Sequence, residues 1–573
     1  MTVSSLDPHP SQYKSVILAL PLFALALFLL TGLLAVMEKA GVVSVLIEAL
    51  MTLSPLLVFA ITGILARTMK LPLFHSGGKD VPAVLAGLTL AACFVGGSFF
   101  PLILSLPYQA DYISFPVILG WGSSLVLSTV LFASSIRRFG SATIPEFLGV
   151  RLQSNFVKII ASGLLLLAAL PLLATEILVG GQVLASSLSA SPTTGIMLFC
   201  LTLLATVILG GVSGAVWTQA LQGVLMVFAC LAPVIFLGLD QATSPLVAES
   251  AGFVRAVDTS LAEQLKAIVD IENTSIGWFL TASPYAGGLW PLVGTALFFA
   301  VGMASMPHLL GKLQTTRSSS DSRRATGYSL SFLLLLIVAG SAYFLLLKDE
   351  RLQSLLGPNA LGQGSQDGLI GALLRSGIIA AALAASSALL MAISTSISRD
   401  IIETFALPRA SLNQKLILAR VVVLAVCGLV TYLAFYGNLH FLDLLVLSIS
   451  IAASAFFPVL LLSCWWRRFQ VTAACGAMLS GSLAAIIYAA AVMSGATGFW
   501  FGLPAEMGGL LGVFLAFVVA VPLSYIKLFE DDGSVAMANL LERPVDRELT
   551  IDTPDGSRSG DSEEAEELIE VRT

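Results

Sequence analysis

The chain has 573 residues, of which 57% are hydrophobic and only 11% charged, and its formal net charge is −6. A soluble domain carries roughly a quarter charged residues, so the composition excludes a water-soluble globular protein for most of the chain. The sequence has no basic patch interleaved with aromatic residues, so nucleic acid is not an expected partner. Its six cysteines form no CxxC pair, which argues against a disulfide framework and against a zinc site.

Long, continuous apolar runs predict an all-α, polytopic membrane protein. About 20 apolar residues cross the hydrocarbon core, and a barrel strand would instead alternate apolar and polar residues. We predict about fourteen transmembrane helices, at roughly 15–37, 43–66, 82–106, 114–136, 157–186, 194–210, 213–238, 287–311, 327–347, 370–397, 416–436, 441–464, 471–494 and 507–527.

Lysine and arginine are concentrated in alternate connections between these spans. This asymmetry predicts an even number of spans in a plasma (inner) membrane, with both termini cytoplasmic. The predicted inside connections contain Arg67, Lys70, Lys79, Arg137, Arg138, Arg151, Lys312, Arg317, Arg323, Arg324, Arg399, Arg409, Lys415, Arg467 and Arg468.

Two segments are polar rather than apolar. Residues 239–286 predict an external loop with one amphipathic helix around Ser250–Ile271, which we interpret as a solvated cap. Residues 529–573 predict an acidic, disordered cytoplasmic tail. Neither segment predicts a catalytic domain, and the spans contain one isolated deep acid without a His/Asp cluster. We therefore expect no enzymatic activity and no cofactor.

Six segments together resemble the sodium:solute symporter family. They are residues 74–82 (FHSGGKDVP) leading into 87–91 (GLTLA), 143–151 (TIPEFLGVR), 210–222 (GGVSGAVWTQALQ), 302–310 (GMASMPHLL) with Arg317 and Arg323, 394–400 (STSISRD), and 456–460 (FFPVL) through 465–468 (WWRR) to Gly476. Each motif is weak alone, but all six occur in the family's order. The fourth looks most like the acetate and monocarboxylate branch.

The resemblance implies a LeuT-type core of two five-helix inverted repeats. The core would cover 74–464, with repeat one at about 82–238 and repeat two at about 287–464. Residues 1–73 and 465–528 would each add two flanking helices. Substrate would bind near the midplane beside broken stretches of the third and eighth spans. Gly96-Gly97 and Gly294 with Gly302 are the candidate breaks, although glycines also serve close helix packing.

The resemblance also implies a sodium site between the third and tenth spans. An ungapped alignment from Asp400 places its three carbonyl positions at Ala91, Phe94 and Ala381, and its two hydroxyl positions at Ala384 and Ala385. Carbonyls survive any substitution, but both hydroxyl groups are missing. Cys93 and Gln219 also replace carboxylates that occur in the family. Ser386 and Ser387 would restore one or two ligands after a local shift, or else serve helix–helix hydrogen bonding.

Glu176 lies deep in the apolar fifth span. An ionisable group at that depth is costly and usually faces the bundle interior or a water-filled cavity. Our hypothesis is that Glu176 is a proton-carrying coupling or gating acid. The alternative is a side chain that snorkels, or a neutral residue satisfied by Gln182 or by neighbouring backbone. The full set of substrate or coupling candidates is Cys93, Gly96, Gly97, Ser98, Glu176, Gln182 and Gly302.

These observations predict a secondary active transporter that couples a small organic solute, such as acetate or another monocarboxylate, to a cation. The expected partners are the solute, Na⁺ or H⁺ as the coupling cation, and the lipid bilayer. No metal is expected beyond sodium. Two alternatives stay open: a transporter-like sensor that acts through a partner, and a proton-coupled or uncoupled facilitator. A small membrane subunit or a dimer is also left open.

Overall fold

The computed structural model describes residues 12–105, 114–242, 289–347, 369–436, 441–493 and 507–526. Within these ranges the only extended pairing is one isolated bridge, between Val81 and Thr316. The amphipathic helix predicted around Ser250–Ile271 and the predicted acidic tail lie outside the described residues.

Helices account for almost all of the described chain. In order they are α1 (Gln12–Lys39), α2 (Ser44–Leu65), α3 (Leu71–Ser76), α4 (Ala83–Ser105), α5 (Ser114–Ser128), α6 (Ser134–Phe139), α7 (Ile144–Arg151), α8 (Asn155–Ser187), α9 (Pro192–Val207), α10 (Gly211–Ala242), α11 (Leu289–Ala304), α12 (Pro307–Leu313), α13 (Ser319–Leu347), α14 (Leu369–Thr395), α15 (Leu412–Tyr436), α16 (Phe441–Trp465), α17 (Val471–Met493) and α18 (Met507–Leu523). A π-helical turn, Thr129–Ala133, joins α5 to α6, and α14 continues as a π-helix, Ser396–Ala406.

Each segment predicted to span the membrane contains a helix or a bent helix pair. Ten of the described helices are long and apolar enough to cross a membrane, or eleven if the bent pair α11 and α12 forms one span. Helices α9 and α18 are apolar but shorter. The chain is therefore a multi-pass, all-helical membrane protein. The count of fourteen spans and the inverted repeats stay predictions.

The centre of the bundle is formed by α4, α8, α10 and α14, which pack against one another. Most of α4 and α14 is buried by neighbouring helices, whereas α1 is largely exposed at the periphery. In α14 the run 380–388 (AAALAASSA) contains almost only small side chains, which allow backbones in a membrane to approach closely. This run is what lets α14 lie directly against α4.

The break in the eighth predicted span lies further along the chain than expected. Helices α11 and α12 meet at a bend of 57° around Ser305 and Met306, just before Pro307. Proline cannot supply the N–H that would continue the helix, so the interruption falls at this residue. The interpretation of Gly294 and Gly302 as break positions is therefore wrong.

Gly302 serves close packing instead. A Cβ atom at this position would lie 2.3 Å from Ile449 Cγ2 of α16. Such a distance is far inside van der Waals contact, so only a glycine lets α11 approach α16 this closely. The structure therefore supports the alternative that the sequence left open for Gly302, which is close helix packing.

Four predicted inside connections meet at one face of the bundle. Lys79 Nζ donates to the Gly140 carbonyl, and Arg137 Nε donates to the Thr316 carbonyl at 2.7 Å. Thr143 Oγ1 donates to Asp400 Oδ2 at 2.7 Å. We call this surface, formed by residues 66–82, 137–154, 314–318 and 396–411, the basic face. Its contacts agree with the alternation of connections inferred from lysine and arginine.

The fit at Gly302 can be tested with a single methyl group. We expect Gly302→Ala to lower stability by about 1–3 kcal/mol, the usual effect of overpacking, because the methyl group would overlap Ile449. The measurement is thermal unfolding of the detergent-purified chain. Gly428→Ala is the matched control, because nothing lies within 4 Å of a Cβ there. Equal midpoints for the two variants would contradict this account of the α11–α16 contact.

Candidate functional site

Helix α4 is interrupted at Gly96. Its backbone angles, φ 60° and ψ 170°, lie outside the helical region and are accessible in practice only to glycine. The interruption divides the helix into two halves, and the first N–H groups of the second half have no carbonyl partner within the helix. The break that the sequence predicted at Gly96-Gly97 is thus confirmed as a backbone feature.

The carboxylate of Glu176, on α8, lies at the start of the second half of α4. Oε2 accepts a hydrogen bond from Gly97 N at 2.6 Å, and Oε1 accepts one from Ser98 Oγ at 2.6 Å and a longer one from Ser98 N at 3.4 Å. Glu176 is only 2% exposed. The N-terminus of a half-helix favours negative charge, so these groups suit a carboxylate.

The structure therefore brings together Gly97, Ser98 and Glu176, three residues that the sequence named as candidates without predicting their contact. Gln182 does not join them. Its side chain is exposed, six residues further along α8. The sequence interpretation in which Gln182 satisfies Glu176 is wrong, because the acid is satisfied by backbone and hydroxyl groups of another helix.

Both glycines at the break leave room for neighbouring helices. A Cβ at Gly96 would lie 2.8 Å from Glu176 Oε1, and a Cβ at Gly97 would lie 2.6 Å from Ala382 Cβ on α14. A side chain at either position would displace the acid or push α14 away. The glycine pair thus serves both as a break and as a packing contact.

An aromatic cluster flanks the break. Trp121 stacks on Phe94 with ring centroids 4.4 Å apart and on Phe99 at 5.4 Å, and Phe299 meets Phe99 edge-on at 6.0 Å. Trp121 is buried, and its Nε1 has no hydrogen-bond partner among the described residues. Sequence analysis missed Trp121, because one more aromatic residue in an apolar span gives no signal. The cluster offers an apolar wall with one polar donor, the usual character of a small-molecule site.

The positions aligned with the sodium site lie on helices that contact each other. Ala91 and Phe94 precede the break in α4, and Ala381, Ala384 and Ala385 are buried in α14. Three side chains donate to the Ala384 carbonyl: Cys93 Sγ at 3.4 Å, Gln219 Nε2 at 3.2 Å and Ser387 Oγ at 2.9 Å. This carbonyl is therefore surrounded by donors.

The two serines considered as replacement ligands differ. Ser387 Oγ also accepts from Gln219 Nε2 at 2.7 Å, so it is already engaged. Ser386 Oγ is buried and has no hydrogen-bond partner among the described residues. Of the two, Ser386 is the hydroxyl that has capacity for another ligand. The described residues contain no cluster of three or more His, Cys, Asp or Glu suited to a metal ion.

Sequence analysis counted Lys312 among the basic residues of an inside connection, but the structure buries it. Lys312 lies in α12 and is 6% exposed, and its Nζ donates to Gln219 Oε1 at 2.5 Å. His308, one turn earlier, is buried as well. The sequence did contain a signal of this burial. His308 and Lys312 are four residues apart in an apolar segment, which places both side chains on one helix face.

A cavity opens beside Lys312 on the basic face, between α3, α7, α12 and α14. Its volume is about 60 Å³. Its lining includes His75, Thr143, His308, Lys312, Ala388 and Thr395. Ala388 is one turn beyond Ala384, so the cavity reaches to within one helical turn of a position aligned to the ion site.

Polar contacts lie behind the lining residue Thr143, which donates to Asp400. Asp400 is buried and lies 3.5 Å from Lys158 Nζ, and Arg399 Nη2 donates to Glu146 Oε1 at 2.8 Å. Burial alone would raise the pKa of Glu146, but the Arg399 guanidinium and a hydrogen bond from Ala142 N hold it below its usual range. The described contacts of Asp400 are with Lys158 and Thr143.

His75 lies in α3 at the edge of the cavity. Its Nδ1 lies 3.4 Å from Thr395 Oγ1, and its Nε2 lies 3.7 Å from Glu403 Oε1. Burial lowers the pKa of His75, and the neighbouring Glu403 opposes this effect only in part. The folded protein therefore holds His75 as a neutral imidazole where an unfolded chain would protonate it.

Comparison with known proteins decides the family. A family model described as "Sodium:solute symporter family" matches residues 74–483. The chain belongs to this family.

Two relatives illustrate the range of the sodium:solute symporter family. A monocarboxylic acid transporter of Corynebacterium glutamicum is 23% identical, over 78% of this chain and 84% of its own length. A sodium/proline symporter of Haemophilus influenzae is 24% identical, over 81% of this chain and 92% of its own length. A solved structure of a Na⁺-coupled sialic acid symporter superposes with a TM-score of 0.63 at 18% identity, covering 84% of this chain and 98% of that one. This likeness shows the fold.

The neutral state of His75 predicts a pH-dependent stability. The unfolded chain takes up a proton near pH 6.5, about the ordinary pKa of histidine, and the folded chain does so only at lower pH. The stability contributed by His75 is therefore present above about pH 6.5 and is lost as pH falls through the folded pKa.

The measurement is the thermal midpoint between about pH 7.5 and pH 5 in detergent. We expect the midpoint of the wild type to fall over this range and that of His75→Gln to fall less. Ser76→Ala, an adjacent change without a titratable group, should follow the wild type. Parallel curves for His75→Gln and the wild type would refute the assignment.

Proposed function

We propose that this sodium:solute symporter family member is a cation-coupled symporter that moves a small organic solute across the plasma membrane by alternating access. The solute would bind beside the break in α4, between the start of its second half and the aromatic cluster of Trp121, Phe99 and Phe299. We further propose that the core, 74–464, consists of two inverted repeats and that both termini are cytoplasmic.

One observation carries the proposal: the Gly96 break with the Glu176 carboxylate at its N–H groups. Interrupted helices near the midplane are the usual solute sites of secondary transporters. Backbone N–H groups that are not used within the helix can bind a solute carboxylate without any arginine. The stacked aromatic rings beside them would bury its apolar portion.

A monocarboxylate such as acetate is our first candidate solute. It would compete with Glu176 for the N–H groups of Gly97 and Ser98, and two carboxylates cannot share them while both are charged. Uptake of the anion together with a proton removes this repulsion, because a protonated Glu176 can yield one acceptor position. On this mechanism Glu176 is the coupling acid. The monocarboxylic acid transporter among the relatives supports this choice of solute.

An amino acid such as proline is the second candidate. The charged Glu176 carboxylate at the break could pair with the amino group of such a solute, and a sodium/proline symporter is among the relatives. The monocarboxylate candidate requires Glu176 to be protonated during binding, and the amino-acid candidate requires it to be negatively charged. Substitution of this one residue therefore separates them.

The experiment is uptake of radiolabelled acetate, pyruvate and proline into proteoliposomes, with a sodium gradient or a proton gradient imposed separately. If Glu176 couples monocarboxylate uptake to protons, Glu176→Gln should abolish the pH dependence of acetate uptake. If Glu176 binds an amino group, the same variant should abolish proline uptake. Gln182→Ala is the control, because Gln182 is exposed on the same helix.

Unchanged pH dependence and unchanged proline uptake in Glu176→Gln would remove Glu176 from the mechanism. Equilibration of a solute without accumulation under either gradient would favour an uncoupled facilitator. If a solute binds to the purified chain but no uptake occurs under any gradient, a membrane sensor that acts through a partner becomes the better account.

A further inference from the structure

Lys312 is a buried basic residue that the proposed mechanism does not use. Among the described residues no Asp or Glu forms an ion pair with it, and its one described hydrogen bond is to the neutral Gln219 amide. An ammonium group buried without a counter-charge is costly, so it persists only where neighbouring groups stabilise it. The cavity at the basic face reaches Lys312, so water can also contribute from that side.

The orientation of the Gln219 amide follows from Lys312. An ammonium group only donates hydrogen bonds, so the amide oxygen must face Lys312 and the NH₂ group must point the other way. That NH₂ group donates to the Ala384 carbonyl at 3.2 Å and to Ser387 Oγ at 2.7 Å, both on α14. One amide thus links Lys312 to the helix that was aligned with the sodium site.

The same location is poor for a sodium ion. The Ala384 carbonyl, three residues beyond the aligned carbonyl position Ala381, accepts from Cys93 and Ser387 as well as from Gln219, so it is already engaged by donors. Both positions aligned with hydroxyl ligands are alanines. A cation bound here would also be repelled by the ammonium group nearby, without a carboxylate to offset it.

We propose that Lys312, acting through Gln219, supplies the positive charge that a sodium ion would supply between α4 and α14, so that this chain binds no sodium there. The inference rests on the proposed symporter function only for its consequence, which is that a cation other than sodium drives uptake. Lys312 is then a positioning residue: it holds the Gln219 amide against α14 and joins α10, α12 and α14 beside the break.

The test measures sodium binding directly and needs no solute. The full-length purified chain is heated in NaCl, KCl or choline chloride at equal ionic strength, and the unfolding midpoint is recorded. We expect the wild type and Lys312→Arg to give the same midpoint in the three salts. The double variant Gln219→Asp with Lys312→Met restores a carboxylate and removes the charge. It should gain a sodium-specific rise of about 2 °C or more at saturating sodium.

Lys415→Met is the matched control, because Lys415 is a lysine in the first turn of α15 whose described ion pair is with Glu403. It should gain no sodium response. A sodium-specific midpoint shift in the wild type would overturn the proposal. A folded, monodisperse double variant without a sodium response would overturn it as well. If the double variant does not fold, Lys312→Met alone is measured, and a sodium-specific shift supports the proposal while its absence contradicts it.

The proposal of symport and the proposal for Lys312 can be contradicted independently of each other. Absence of uptake for every solute tested would contradict symport but leave the salt-dependent midpoints as they are. Uptake driven by a sodium gradient alone in the wild type would establish symport and would overturn the role of Lys312.

Discussion

The hydrogen bonds from Gly97 and Ser98 to Glu176 pair groups that an interrupted membrane helix would otherwise leave open. In lipid each unpaired backbone group costs several kcal/mol, so a break in α4 is tolerable only where something polar meets it. The carboxylate meets this requirement from α8, and it thereby fixes how α8 lies against α4. That contact requires glycine at positions 96 and 97, because Glu176 and Ala382 lie where a Cβ would be. It also requires small side chains along α14.

Much of the fold could be predicted from the sequence. Apolar runs predicted the helices, lysine and arginine predicted which connections share a face, and a glycine pair predicted the break in α4. The partner of Glu176 was not predictable, because Gly97 lies 79 residues away in sequence, whereas Gln182 was the local polar residue. The bend after α11 was assigned to glycines because they are frequent in such helices, although Pro307 was the residue that removes a backbone donor.

Lys312 was missed for a different reason. A basic residue just after an apolar run is normally taken to lie in a connection, and hydropathy alone cannot distinguish a helix that ends from one that bends and continues. The two buried titratable residues at the centre then share a property. Glu176 is stabilised by N–H and O–H donors and Lys312 by an amide oxygen, so neutral dipoles rather than opposite charges hold each of them. Either charge can therefore change without leaving a second charge exposed.

Helix α14 does not end at the edge of the apolar region but runs on as the π-helix Ser396–Ala406. Its first part presents Ala382 to the break, and its extension presents Arg399 to Glu146 and Asp400 to Thr143 at the basic face. One continuous rod thus touches both the proposed solute site and the surface from which the cavity opens. If this continuous helix tilts as a unit, breaking the polar contacts at the basic face also moves Ala382 at the wall of the solute site. Opening of the basic face and solute binding are then coupled through one helix.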